Sequence, residues 1–181
     1  MDLAMKQDPR PLARLVKGKP ISAGRKVVEK LSEESLDTAK DPNRLRFIQG
    51  ALYLCFDCFD EAHTVANDHE GTVAGNWIHA MAHRREPDAS NSKYWYHRVS
   101  VPAKVSGEIA AESLALLKKS SVPELESLAK KIEKSKHWEP EAFVDLCDEF
   151  RKKDDKTPVY RALAAIQEIE WRGLAEYILS S

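Results

Sequence analysis

Five of the six histidines fall between positions 63 and 97: His63, His69, His79, His83 and His97. The same stretch holds Trp77, Tyr94, Trp95 and Tyr96, and the dense polar run His83-Arg84-Arg85-Glu86-Pro87-Asp88. Imidazole exchanges protons near neutral pH and is the commonest metal ligand. His79 and His83 are spaced i, i+4, which sets two rings one turn apart on the same side of a helix, where both can reach one ion. A third ligand must come from elsewhere in the chain. His63 is the first choice, with Asp60 or Glu61 behind it. No glutamate directly follows His79, so the metalloprotease arrangement is absent. The competing reading is a solvated or hydrogen-bonded histidine face. For His63 it is a core histidine bonded to a carboxylate or a carbonyl, because an unpaired buried polar group costs a few kcal/mol.

Arg85 projects toward the side of Ile78 and Met81, and a buried guanidinium needs a planar acceptor. Asp57, Asp60 and Asp88 are the candidate partners in an ion-pair network that locks helices. The alternative is an anion pocket in which Arg84 or Arg85, with Lys93 and Arg98, grips a carboxylate or phosphate. One ring of Tyr94-Trp95-Tyr96, with Trp95 foremost, would then floor the pocket.

These side chains must be carried by helices. Only seven glycines occur, no segment alternates apolar and polar for long, and helical periodicity dominates. The spacing predicts helices near 10–17, 24–38, 42–67, 71–86, 90–98, 103–119, 122–136, 140–152 and 158–179. Residues 1–20 read equally well as an N-terminal arm ahead of one helical domain over 21–181. The expected fold is all-α, a compact bundle-like single domain. Asp41-Pro42 and Thr157-Pro158 are helix starts, a cap residue followed by proline in the first turn. Ser121-Val122-Pro123-Glu124 reads as a capping box, and Asp88 or Ser90 caps the short helix after it. In 42–67, Leu45, Leu52, Phe56 and Phe59 share a stripe, and His63 lies within about 40° of each, with Asp60 about 60° to one side. In 71–86, Ala74, Trp77, Ile78 and Met81 form an apolar face, and Thr72, Asn76, His79, His83 and Glu86 a polar stripe. The last helix carries the stripe Val159, Leu163, Ile166, Leu174, Tyr177 and Ile178, read as ordinary core.

The 181 residues are 43% hydrophobic and 31% charged, a globular balance. The net charge of -1 lacks the basic excess of a general nucleic-acid or anionic-membrane binder. No apolar run is long enough for a signal sequence or a bilayer span. Cys55, Cys58 and Cys147 are an odd, sparse set, unlike a disulfide framework, which makes a reducing cytoplasm the default. Cys55-x-x-Cys58 falls inside a helical pattern rather than at a helix N-terminus, so packing is favoured over redox or metal chemistry.

The segments Asp60-Glu61-Ala62-His63 and Trp77 to Trp95 resemble a family of microbial all-helical proteins. Its pattern is D-x-A-H followed by W-H-x-x-x-H-R-R-E-x-D-x-S-N-x-K-Y-W. Ile78 stands between Trp77 and His79 where that pattern has W-H adjacent. The resemblance implies a compact helical protein and no particular reaction.

Three functions compete. The first, and preferred, is a small enzyme with a histidine–carboxylate centre. His63, Asp60 and His83 are its catalytic candidates, and His63, His79 and His83 the ligands of a divalent zinc, iron or manganese ion. The second is a module for a small anionic ligand held by Arg84, Arg85, Lys93 and Trp95. The third is an interaction protein whose polar segment only fixes one helical packing.

Overall fold

The structure, a computed structural model, describes residues 14–35 and 41–181, without the side chains of 32–35. Its helices are α1 (Ser22–Ser35), α2 (Pro42–Cys55), α3 (Phe59–Asp68), α4 (Val73–Arg85), α5 (Ala89–Tyr96), α6 (Ala103–Ser120), α7 (Glu126–Ser135), α8 (Pro140–Phe150) and α9 (Pro158–Ser180). A 3₁₀ turn, Pro123–Leu125, precedes α7. There is no strand among the described residues. The fold is all-α, as the periodicity requires, and no helix described is long and apolar enough to cross a membrane.

The architecture is organised around α4. Thr72 caps it by accepting from the Gly75 N–H at 3.0 Å, and its own hydroxyl donates to the His69 carbonyl at 2.8 Å. Gly75 is obligatory there, since a Cβ would stand 2.3 Å from that carbonyl. From Ala74 to Ala82 every residue is buried, and Arg84 and Arg85 follow. Small side chains at 74, 75, 80 and 82 admit close neighbours, and α4 packs against α2, α3, α5, α8 and α9. The two-faced surface helix expected over 71–86 is therefore a central helix. Beyond the exposed Thr72, its polar stripe is buried or half-buried against other elements. Asn76, for example, accepts from the Gly71 N–H and donates to the Arg98 carbonyl, tying both ends of the neighbouring turns to it.

The helix expected over 42–67 is two helices. α2 ends at Cys55, Asp57 takes a left-handed φ of 54°, and α3 begins at Phe59. That backbone region is unfavourable for a residue with a Cβ, though Asp tolerates it better than most. What holds it is Arg85, whose Nη2 donates to Asp57 Oδ1 at 2.7 Å and whose Nη1 donates to the Leu54 carbonyl at 2.7 Å. The bend follows from a long-range contact that local periodicity does not contain.

Asp41 and Thr157 cap α2 and α9, and Asp88 caps α5 by accepting from the Asn91 N–H at 3.1 Å. The capping box at 121–124 does not form. Ser121 instead ends α6 in the left-handed region (φ 49°), with its hydroxyl turned back to the Lys118 carbonyl. Pro123 disfavours a helical Val122, which is extended, and the chain re-enters helix through the 3₁₀ turn.

Residues 14–17, the described part of the helix expected near 10–17, are not helical, and 10–13 lie outside the described residues, as do 36–38 of the helix expected over 24–38. The 14–18 stretch is a strap laid against the C-terminal end of α4. Leu15 is 1% exposed. Its N–H donates to the Tyr160 hydroxyl, the Lys17 N–H donates to the Arg85 carbonyl, and the Arg14 carbonyl accepts from Arg85 Nε and Gln167 Nε2.

Candidate metal centre

His79 and His83 project from successive turns of α4, and His63 reaches them from the middle of α3. One nitrogen from each ring can be chosen so that all three lie within 4.8 Å of one another. The ring centroids stand 5.2 Å (63–79), 4.7 Å (63–83) and 4.8 Å (79–83) apart. His79 is buried and lies flat against Trp95 of α5, with 3.9 Å between centroids and 17° between planes. His63 and His83 are half-buried.

Burial, with the neighbouring His83 and His63, pushes the His79 pKa down to about 4. Burial and His63 lower His83 as well. Both rings are held neutral at pH 7, the form in which imidazole binds a metal. Two buried ring nitrogens, His63 Nε2 and His79 Nδ1, have no hydrogen-bond partner. Buried polar atoms of folded proteins are rarely left so.

A carboxylate closes the cluster, but it is not that of Asp60, which is exposed in the first turn of α3. It is Glu86, at the end of α4. Its Oε2 lies 3.4 Å from His83 Nδ1 and 3.5 Å from His63 Nε2, while its Oε1 accepts from Lys17 Nζ at 2.8 Å. The Asn91 amide nitrogen stands 3.1 Å from His83 Nε2. Glu86 sits three residues after His83 on the stripe already noted, which was the signal for it. Asp60 shares α3 with His63 but lies to the side of it, where it is exposed instead of facing α4.

The other two histidines of the cluster in sequence lie elsewhere. His69 bonds the Val65 carbonyl through Nδ1 and stacks edge-on against Phe47. His97 is exposed beside Glu141. Of Arg84, Arg85, Lys93 and Trp95, only Trp95 joins the imidazoles. Arg85 serves the bend, and Lys93 pairs with Asp145 at the surface.

Arg84 belongs to a second, buried constellation around Glu170 of α9, which is 0% exposed. Its Nη1 donates to Glu170 Oε2 at 2.5 Å, and Glu170 Oε1 accepts from the Tyr96 hydroxyl at 2.7 Å, Trp138 Nε1 at 3.0 Å and Trp77 Nε1 at 3.4 Å. Burial opposes the Arg84 charge, but Glu170 more than offsets it and holds the pKa above the usual guanidinium value. Glu170 was hidden by the apolar stripe of α9 on either side of it.

The three cysteines are free and buried. Burial pushes Cys55 and Cys147 up to about 12, and raises Cys58 too, so none presents a ready thiolate.

The cluster as a whole offers three imidazoles, one nearby carboxylate and an aromatic wall. That donor set suits a borderline divalent cation such as zinc, iron or manganese. No protein-family model matches the chain, and neither does any curated protein or any solved structure.

Proposed function

We propose that the chain is a small metal-dependent enzyme whose divalent ion is held by His63, His79 and His83. The observation that carries this reading is the convergence of three imidazoles from two helices, with two of their buried nitrogens unpartnered. Ligands of a tetrahedral ion at about 2.1 Å stand about 3.4 Å apart. The rings therefore need to draw in by up to about 1.4 Å. A bound ion would polarise a substrate or lower the pKa of a water. The chain's own part is to keep His79 and His83 unprotonated, to shield one side with Trp95 and to hold a carboxylate at the rim. The free thiols suit the cytoplasm as its compartment. A grip on a free anion by Arg84 or Arg85 would have to displace Glu170 or Asp57, which makes the anion module the weaker reading.

Elemental analysis after expression with added zinc, iron and manganese tests the proposal. The wild type is expected to carry about one equivalent, and the His79→Ala/His83→Ala variant none, with its helical circular dichroism retained. A metal-free wild type that also fails to take up any of the three ions in calorimetry refutes it.

A further inference from the structure

We infer that Glu86 is the carboxylate ligand of this centre, completing a set of three histidines and one glutamate, and that Lys17 of the N-terminal strap positions it. The inference rests on the metal reading above and adds a residue to it.

Glu86 Oε2 stands 3.4 Å from His83 Nδ1 and 3.5 Å from His63 Nε2. Those are the separations expected between ligands of one tetrahedral ion, about 3.4 Å for metal–ligand bonds of about 2.1 Å. Of the two contacts, the one to His63 Nε2 is not a hydrogen bond, since that nitrogen has no partner. An ion seated between these atoms gives it one.

The two oxygens of Glu86 are divided between tasks. Oε1 is held by Lys17 Nζ at 2.8 Å, which leaves Oε2 turned to the rings. Lys17 is itself fixed by its N–H bond to the Arg85 carbonyl at 2.7 Å. The strap therefore sets the carboxylate's direction through side chain and backbone together. Asn91 stands beside both ring nitrogens of His83, its amide nitrogen 3.1 Å from Nε2 and 3.4 Å from Nδ1, so it does not select which of them faces an ion. Charge agrees with this assignment: three neutral rings leave a dication uncompensated, and Glu86 supplies an anion at contact distance.

Cobalt(II) is the probe, because its visible d–d bands report the atoms bound to it. The test compares full-length wild type, Glu86→Gln and Lys17→Met by absorption spectroscopy and calorimetry. Wild type is expected to bind one Co²⁺. Glu86→Gln should shift the d–d bands and weaken binding by about 100-fold, and Lys17→Met should weaken it by about 10-fold with the bands in place. If wild type binds Co²⁺ and Glu86→Gln leaves the bands superimposable, Glu86 is no ligand and only this inference falls. If Lys17→Met binds as tightly as wild type, the positioning role falls. If wild type takes up no Co²⁺, the centre itself is refuted along with it.

Discussion

Replacing Glu170 by leucine strands Arg84 as an uncompensated charge at the middle of the fold. The Arg84 side chain is 1% exposed and Glu170 0%. Apart from Glu170, Arg84 has the Tyr96 hydroxyl at 2.6 Å and the Phe143 ring at 4.7 Å, while its Nε and Nη2 make no hydrogen bond. Breaking a buried ion pair from one side costs about 3–5 kcal/mol. Tyr96 and Trp138 also lose their acceptor, at about 1–3 kcal/mol each when buried donors go unpaired. These contributions share one carboxylate and do not add in full, so the expected loss is about 5 kcal/mol. A domain of this kind has about 5–15 kcal/mol in total. The assay is a double-mutant cycle by urea denaturation with Glu170→Leu, Arg84→Met and the double variant. The double variant should recover about 2 kcal/mol or more relative to the sum of the singles, because no charge is left unpaired. A Glu170→Leu midpoint close to wild type, or strict additivity in the cycle, would show that the pair is hydrated or that the core re-forms around it.

Two further outcomes are expected. Arg85→Met leaves Asp57 without its guanidinium and the bend after α2 without its anchor. Stability should fall by about 3–5 kcal/mol, and an unchanged unfolding midpoint would refute the anchoring role. In the metal-free protein, His79 has its pKa depressed from 6.5 to about 4 by burial and its two histidine neighbours. The unfolded chain therefore takes up a proton first, and stability present above pH 6.5 is lost as pH falls toward 4, by about 2–3 kcal/mol from this ring. Melts at successively lower pH from neutral should show that loss and His79→Gln should lessen it, with His83 contributing the same sign, whereas a flat wild-type profile contradicts the neutral, buried ring.

The parts of this molecule legible in its sequence are those fixed by local spacing. The proline-marked helix starts at 42 and 158, the i, i+4 pair His79 and His83 and the core-facing Arg85 all follow from residues a turn or two apart. His63 was identified by an angular argument through a helix that does not exist. It still reaches the pair, because α3 alone carries it there. What stayed hidden depends on distant partners. The bend at Asp57 is set by Arg85, 28 residues on. Glu170 lies within a helix whose apolar stripe gives no sign of a carboxylate, and its partners come from α4, α5 and the loop before α8. The strap at 14–18, where the spacing predicts the end of a helix, is instead non-helical and held by hydrogen bonds to side chains and carbonyls far along the chain.

The run His83-Arg84-Arg85-Glu86 explains why centre and core cannot be separated. Successive residues on a helix point about 100° apart, so four in a row address nearly every direction around it. In a surface helix most of those directions meet water. At the end of α4 each meets protein: His83 the imidazole cluster, Arg84 the carboxylate of α9, Arg85 the bend between α2 and α3, and Glu86 the strap. A shift of this one turn would strain two buried ion pairs at once. His79 and His83 are thereby held beside one another, and under the proposed function an ion would meet less ordering cost on binding. The coupling works in both directions, since an ion that binds only the folded chain adds to its stability in proportion to the logarithm of its concentration. The same run that anchors the end of α4 also fixes where His83 stands in the imidazole cluster.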